Sequence, residues 1–162
     1  MRQGLRTNSL KFIGLDCSSL AIHGAIIDNN EDLISLHKWG SKMKTFDDRF
    51  PEITKQFSKE LSKITYIKQI EFASIEAAIF IQNPKTTIAI ANVVGVAWAF
   101  LLKEGITTSI IDNRSWKKEI VGKGNAKKED IKKYAIEKWG DKFPEQDYAD
   151  AACIALWNKR RF

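Results

Sequence analysis

Apolar residues recur along the chain at two spacings, which together predict alternating strands and helices. Short apolar runs bounded by polar or turn residues are typical of buried strands, and stripes at intervals of three and four residues are typical of helices. The predicted strands cover residues 10–16, 21–28, 32–39, 67–77 and 106–112. The predicted helices cover residues 45–64, 86–104, 127–142 and 147–159.

The order of these elements predicts an α/β fold in which a five-stranded mixed sheet is flanked by helices. Asn29-Asn30 is a hairpin signal, so the first three strands are expected to form an antiparallel meander. Pro51 falls inside the first helical stripe, and the helix is expected to begin near it. We predict a single domain over residues 10–162, preceded by a flexible tail over residues 1–9.

The predicted helix 86–104 is apolar around much of its circumference, which is unusual for a helix with a single buried face. It is either deeply buried or also in contact with a second subunit. No run of about 18 or more apolar residues occurs, so a membrane span is not expected. The start of the chain lacks the apolar segment of a secretory signal. Cys17 and Cys153 match no metal-ligand spacing and are expected to be buried free thiols, which fits a cytoplasmic protein.

Four acidic residues lie where predicted apolar elements begin or end. Asp16 ends the first strand, Glu76 ends the fourth apolar run, and Asp147 and Asp150 open the last helix. Acids in such positions lie at the rim of a sheet, and they repel one another unless a cation holds them. Because carboxylates hold hard cations, the pattern predicts a site for hydrolysis with Mg²⁺. Asp147 and Asp150 also fit a simpler role, as acids at the positive end of a helix dipole.

The distribution of charge points to a polyanionic substrate. The chain has a formal net charge of +6. Residues 114–142 contain ten Lys and Arg against five Asp and Glu, a net charge of +5 in one segment. Basic stretches are often only solvated helix faces, but this one lies in sequence between two of the predicted acidic positions. Trp116 lies among its basic residues and fits either core packing or a contact with DNA.

Two short motifs contain the first two acids. Ile13-Gly-Leu-Asp16, followed by Ser19, has the form G-[IL]-D-x-x-S. Ser74-Ile-Glu76 ends its strand on the pair I-E.

Two further motifs follow, and the set of four resembles a known family. Val121-Gly-Lys-Gly124, with Ala126 and Lys128, is similar to V-x-G-x-G-x-A-x-K, and Asp147-Tyr-Ala-Asp150-Ala is similar to D-A-A-D-A. In this order and spacing the motifs resemble those of RuvC-type Holliday junction resolvases, which are ribonuclease H-like nucleases. Each motif alone is weak, but the resemblance runs over nearly the whole chain.

The resemblance implies a ribonuclease H-like fold and a DNA endonuclease that cuts Holliday junctions. It implies that Asp16, Glu76, Asp147 and Asp150 bind two Mg²⁺ ions in each active site, with Mn²⁺ as a substitute. Asp16 is expected to bridge both ions, Glu76 to hold one of them, and Asp147 with Asp150 to hold the other.

The resemblance also implies contacts with branched DNA and with a second copy of the chain. Lys128 is expected to act in catalysis, by stabilising charge on the scissile phosphate or by positioning the attacking water. Taken alone, Lys117 and Lys128 also fit ordinary solvated lysines. Helix 86–104 matches the element through which such homodimers form. The residues expected to contact DNA are Lys117, Lys118, Lys123, Lys127, Lys128 and Phe80.

The chain departs from the family pattern in two places. Cys17-Ser18 replaces the usual Pro-Gly after the first aspartate, which changes the loop but not the ligand. Ile79 occupies the position of a phenylalanine that stacks at the junction crossover in many bacterial members, and Phe80 lies next to it. Selectivity is therefore expected to extend to forks or flaps, and the divergence is typical of a phage-encoded member.

Other functions compete with this interpretation. An RNA-processing nuclease of the same superfamily is the main alternative, because a fold does not choose its nucleic acid. A non-catalytic junction-binding protein would gain nothing from clustered carboxylates beside phosphates. An actin-like small-molecule kinase is disfavoured by the short chain and by the lack of a second glycine turn. His23 and His37 lie in predicted strands and are expected to be structural.

Overall fold

The structure is a computed structural model that describes residues 9–79 and 81–162. Most of the predicted tail, like Phe80, therefore lies outside the described residues. The strands are β1 (Lys11–Cys17), β2 (Ala21–Asp28), β3 (Leu33–Gly40), β4 (Ile70–Glu76) and β5 (Thr107–Ile111). The helices are α1 (Phe46–Lys68), α2 (Pro84–Lys103), α3 (Asn113–Val121), α4 (Lys128–Trp139) and α5 (Gln146–Lys159).

The five strands form one mixed sheet in the order β3-β2-β1-β4-β5. Strands β1, β2 and β3 are antiparallel neighbours, while β4 pairs in parallel with both β1 and β5. This confirms the predicted α/β fold with its antiparallel N-terminal meander. Because β1 and β4 are parallel neighbours, their carboxyl-terminal ends lie side by side at the same end of the sheet.

Helix α3 was not predicted from the sequence. The Asp112 side chain accepts from the backbone N–H of Arg114 at 2.8 Å, and Gly122 ends the helix with a φ of +89°. Trp116 and Ile120, four residues apart, are its buried residues. The cap and the glycine stop define a helix of only nine residues, and the charged residues Arg114, Lys117, Lys118 and Glu119 interrupt the short apolar stripe.

The prediction that α1 begins near Pro51 was wrong. The helix begins at Phe46, because the hydroxyl of Thr45 caps it by accepting from the N–H of Asp48 at 3.2 Å. Pro51 lies within the helix. The helix also continues to Lys68, where Gln69 stops it in the left-handed conformation, so β4 is shorter than predicted.

The sheet separates two apolar cores, and alternation along each strand decides which core a side chain joins. On β1, Ile13 and Leu15 point into the core covered by α1 and α2, while Phe12 points into the core covered by α3, α4 and α5. By the same alternation Gly14 and Asp16 face α5. The acid at the end of β1 is thus directed toward the helix that carries Asp147 and Asp150.

Helix α5 lies unusually close to the sheet. A Cβ on Gly14 would stand 2.1 Å from the carbonyl oxygen of Ala151 and 2.3 Å from the amide nitrogen of Ala155. The Ser74 hydroxyl on β4 donates to the Ile154 carbonyl of α5 at 2.9 Å. The helix is buried from Ala151 to Asn158, as expected for a helix packed on all sides.

Helix α2 buries one side and exposes another. Val93, Ala97 and Leu101 are buried in the core, while Trp98 is 43% exposed and Leu102 is 56% exposed. By length and composition alone α2 is apolar enough to cross a membrane, a test that core helices of soluble proteins also pass. The packing of its buried side against the sheet accounts for part of its apolar character.

The contact at Gly14 predicts a large loss of stability for Gly14→Ala. The added methyl meets backbone atoms that cannot move without displacing α5, so the free energy of unfolding should fall by roughly 3 kcal/mol or more. Gly24→Ala on the adjacent strand is the control, because its methyl meets the Trp39 and Leu15 side chains at 3.0 to 3.2 Å. Urea denaturation should show a smaller loss there, roughly 1–2 kcal/mol. Equal losses for the two variants would contradict the backbone clash.

Candidate active site

Three of the four predicted acids come together at the edge of the sheet. Asp16 lies on β1, and Asp147 and Asp150 lie in the first turns of α5, three residues apart and therefore on one side of the helix. One carboxylate oxygen from each lies within 4.8 Å of the other two. All three side chains are half-buried, so the group is open to solvent on one side.

Burial and the close approach of acidic groups raise the pKa of two of these carboxyl groups. Burial, followed by the negative charges of Asp150, Glu76 and Asp147, raises the pKa of Asp16 well above its usual value. Burial likewise raises the pKa of Asp150 to about 6, although Gln146 opposes the rise by donating to it at 3.0 Å. Ionised, the group is a concentration of negative charge that a bound cation would relieve.

Glu76 stands apart from the other three acids and is held by α3. The Asn113 side-chain amide donates to its Oε1 at 2.9 Å, and the Trp116 indole N–H donates to its Oε2 at 2.5 Å. Glu76 does not belong to the group of three oxygens within 4.8 Å, but its charge contributes to the raised pKa of both Asp16 and Asp150. Trp116 is fully buried, so of the two alternatives that the sequence left open the structure favours core packing over a contact with DNA.

The predicted basic residues differ in their exposure, and two of them act on the charges of the acids. Lys128, the first residue of α4, is exposed, and its charge counteracts the raised pKa of Asp16. Lys117 is half-buried, with its Nζ 5.6 Å from the centroid of the Trp116 ring, and its charge counteracts the raised pKa of Asp150. The remaining predicted DNA contacts, Lys118, Lys123 and Lys127, are exposed in the same basic segment.

A second group of polar residues, which was not predicted from the sequence, lies beside the acids. His23 on β2 is buried, and its Nε2 lies 3.1 Å from Oε2 of Glu145. Glu145 also accepts from Lys38 at 2.7 and 2.9 Å. The Nδ1 atom of His23 lies 3.6 Å from Oδ2 of Asp147. No local motif marks these residues, since they meet only through the fold.

A cleft of about 460 Å³ opens beside this second group. Its wall includes His23, Lys38, Glu145 and Asp147 on one side and Gln56 of α1 on the other. Asp147 thus belongs both to the wall of the cleft and to the carboxylate group.

The fold and the acids together define a class of protein. The β3-β2-β1-β4-β5 sheet, with acids at the ends of β1 and β4 and at the start of a C-terminal helix, is the ribonuclease H-like fold that the resemblance implied. A family model described as crossover junction endodeoxyribonuclease RuvC matches residues 12–158. The chain therefore belongs to the RuvC family. Among curated proteins, none matches its sequence.

Solved structures show the same fold at low sequence identity. Thermus thermophilus RuvC in complex with a Holliday junction substrate is 15% identical with a TM-score of 0.75, and 91% of each chain is covered. A second Thermus thermophilus RuvC structure is 14% identical with a TM-score of 0.73, covering 91% of this chain and 92% of the other. The yeast mitochondrial Holliday junction resolvase Ydc2 is 14% identical with a TM-score of 0.58, covering 92% and 77%.

Membership of the family makes this chain a junction-cleaving endodeoxyribonuclease. The expected enzyme class is confirmed, and it is favoured over the RNA-processing and binding-only alternatives. The four motifs that indicated the class all lie within the matched residues. Family membership by itself assigns no role to individual side chains.

The raised pKa of Asp150 predicts that Asp150→Asn stabilises the metal-free protein. Because the folded state holds its proton up to a higher pH than the unfolded chain, stability falls as pH rises from about 4 to above 6. At pH 8 in EDTA the variant should gain on the order of 1–3 kcal/mol, and near pH 4 the gain should vanish. Denaturant titrations at both pH values test this. Asp141→Asn, at an exposed acid, is the control and should change stability by less than about 0.5 kcal/mol.

Proposed function

We propose that the protein cuts four-way DNA junctions by hydrolysing phosphodiester bonds with two Mg²⁺ ions, held by Asp16, Glu76, Asp147 and Asp150. The convergence of Asp16, Asp147 and Asp150 within 4.8 Å is the observation that carries the proposal. Mn²⁺ is expected to substitute for Mg²⁺. The free, buried thiols of Cys17 and Cys153 suit the reducing cytoplasm in which we place the reaction.

The donor atoms fit hard divalent cations. The proposed set consists of carboxylate oxygens, which Mg²⁺ prefers, and the open side of the group leaves room for water and for phosphate oxygens. Burial and mutual repulsion raise the pKa of Asp16 most clearly, and Asp150, Glu76 and Asp147 all contribute to that shift. The charges of the other three acids all raise the pKa of Asp16, so Asp16 lies near each of them. This position supports the assignment of Asp16 as the carboxylate that would bind both ions.

When bound, the metal ions would supply the Lewis acidity that activates water and stabilises the leaving 3′-oxygen. The protein's own contribution is orientation and charge. Asn113 and Trp116 occupy one hydrogen-bonding position on each oxygen of Glu76 and so fix its plane. The exposed Lys128 ammonium is near enough to Asp16 to affect its pKa. We propose that this ammonium stabilises the negative charge on the scissile phosphate.

Branched DNA is the proposed substrate. The Thermus thermophilus RuvC of the same fold binds a Holliday junction substrate, and the basic segment 114–142 would give this chain a positive surface suited to the same kind of ligand. Ile79 is 49% exposed and offers no ring for stacking on a base. We therefore propose that forks and flaps are also cut.

The two-metal proposal predicts that Asp16→Asn abolishes cleavage while junction binding remains. Loss of the bridging carboxylate should lower the rate by roughly 10³-fold or more, whereas the lysines that attract phosphate are untouched. Labelled four-way junctions, flaps, RNA–DNA hybrids and linear duplex should be incubated with Mg²⁺, with binding measured separately in Ca²⁺.

Asp141→Asn, which changes charge by the same amount at an exposed position, should cleave like the wild type. Normal cleavage by the Asp16→Asn variant would contradict the site assignment. If the wild type cut only RNA-containing strands, the proposed DNA substrate would be contradicted.

We further propose that the protein is a homodimer that forms through α2. Ile88, Ala91, Gly95, Trp98 and Leu102 recur at intervals of three and four residues, so they lie on one stripe of the helix. All five are exposed, and Ile88 is 60% exposed. A second copy of the stripe would bury these apolar side chains, and glycine and alanine within it would allow the helices to approach closely.

Dimerisation through α2 predicts that Trp98→Glu yields a monomer. A charge at the centre of an apolar interface leaves an unpaired carboxylate, which should weaken association at least about 100-fold. Sedimentation velocity at micromolar concentration measures the outcome. Tyr66→Glu is the matched control, because Tyr66 is an exposed aromatic residue on α1, outside the stripe, and its substitution should leave the dimer intact. A monomeric wild type, or a dimeric Trp98→Glu variant, would contradict the proposal.

A further inference from the structure

His23 lies in register with Asp16 across the β1–β2 ladder. Directly opposite residues of antiparallel strands project from the same face of the sheet, so both side chains face α5. The histidine is only 3% exposed. A buried imidazole is therefore aimed at the edge of the carboxylate group, at a position that neither the four motifs nor the proposed metal ligands include.

The position of Glu145 determines which ring nitrogen of His23 carries hydrogen. Lys38 pairs with Glu145 at 2.7 Å, and a carboxylate paired in this way accepts hydrogen bonds only. The Nε2 atom, 3.1 Å from Oε2 of Glu145, must then be the donor. In the neutral imidazole this leaves the lone pair on Nδ1.

That lone pair faces Asp147. Nδ1 lies 3.6 Å from Oδ2 of Asp147, which is too far for a hydrogen bond. The donor atoms of His23, Glu145 and Asp147 all lie within 4.8 Å of one another, as do those of Asp16, Asp147 and Asp150. The two groups of potential metal ligands therefore meet at Asp147.

We propose that Nδ1 of His23 is an additional ligand of the metal ion that Asp147 holds, with Glu145 and Lys38 as positioning residues that fix the tautomer of the ring. This proposal rests on the two-metal function proposed above. A metal-binding histidine usually donates its other N–H to a carboxylate, which is the arrangement that Glu145 provides. Glu145 occupies Nε2, which leaves Nδ1 as the ring nitrogen beside Asp147.

A nitrogen donor changes which cation the site prefers. Mg²⁺ takes oxygen ligands almost exclusively, whereas first-row transition ions such as Mn²⁺ bind imidazole more readily. His23 should therefore raise the affinity for Mn²⁺ more than that for Mg²⁺. The preference would come from one side chain on β2 that ordinary carboxylate-only sites lack.

The test is pulsed electron paramagnetic resonance of Mn²⁺ bound to the full-length protein without DNA. A histidine ligand gives a nitrogen hyperfine coupling that changes when the protein is labelled with ¹⁵N-histidine. The chain has two histidines, and His37 stacks on Trp39 on the opposite face of the sheet. The coupling should therefore be present in the wild type and retained in His37→Ala, a comparison that does not require any change at His23.

Two variants extend the test by calorimetry. His23→Gln should lose the coupling and bind Mn²⁺ about 10- to 100-fold more weakly, while its Mg²⁺ affinity changes less than about 3-fold. Glu145→Gln should bind Mn²⁺ about 10-fold more weakly and retain the nitrogen coupling. These effects separate a ligand from a residue that merely supports the fold.

The possible failures are distinguishable. Mn²⁺ binding that is sensitive to Asp16→Asn but shows no nitrogen coupling would overturn the role of His23 and leave the two-metal proposal standing. A coupling that disappears in His37→Ala would also overturn it. Absence of any Mn²⁺ binding by the wild type would overturn both proposals together.

Discussion

The contact between the backbone of β1 at Gly14 and the backbone of α5 is the constraint on which the site depends. Asp16 lies two residues beyond Gly14 on the same face of the sheet, and Asp150 lies one residue before Ala151, whose carbonyl a Cβ on Gly14 would strike. The separation of the carboxylates is therefore fixed largely by main-chain packing, with little freedom left to side-chain rotation. Ala151 and Ala155 permit this approach because they are small.

Bringing acids together in this way lowers the free energy of unfolding, and packing elsewhere in the structure must offset the loss. The pKa of Asp16 is raised by burial and by its three acidic neighbours, so the ionised group opposes folding until a cation or a proton neutralises it. The burial of α5 and the hydrogen bond that the Ser74 hydroxyl donates to it stabilise the position of the helix despite this repulsion. Such sites are typically less stable without their ligand than their packing alone would allow.

Much of the fold could be predicted from the sequence because its strongest signals are local. The apolar runs of β1 and β4 and the helical pattern of α5 are all readable in short stretches of sequence, and the positions of Asp16, Glu76 and Asp150 at element ends follow from them. Helix α3 was missed because its apolar stripe consists of two residues among charged residues. His23 and Glu145 were missed for a different reason: they are 122 residues apart in sequence, and only the packed fold makes them neighbours.

The burial of α5 along most of its length restricts how this enzyme can vary. A helix with one solvent-facing side can change half of its residues at little cost, whereas α5 is enclosed along most of its length. Its two aspartates are proposed metal ligands and its alanines pack against the sheet, so a short stretch of sequence meets both requirements at once. That combination is a physical reason why the D-x-x-D-A-A segment of this chain should tolerate few substitutions. Substitutions are tolerated more easily on the exposed helices, and α5 is the part of the chain with the least freedom to change.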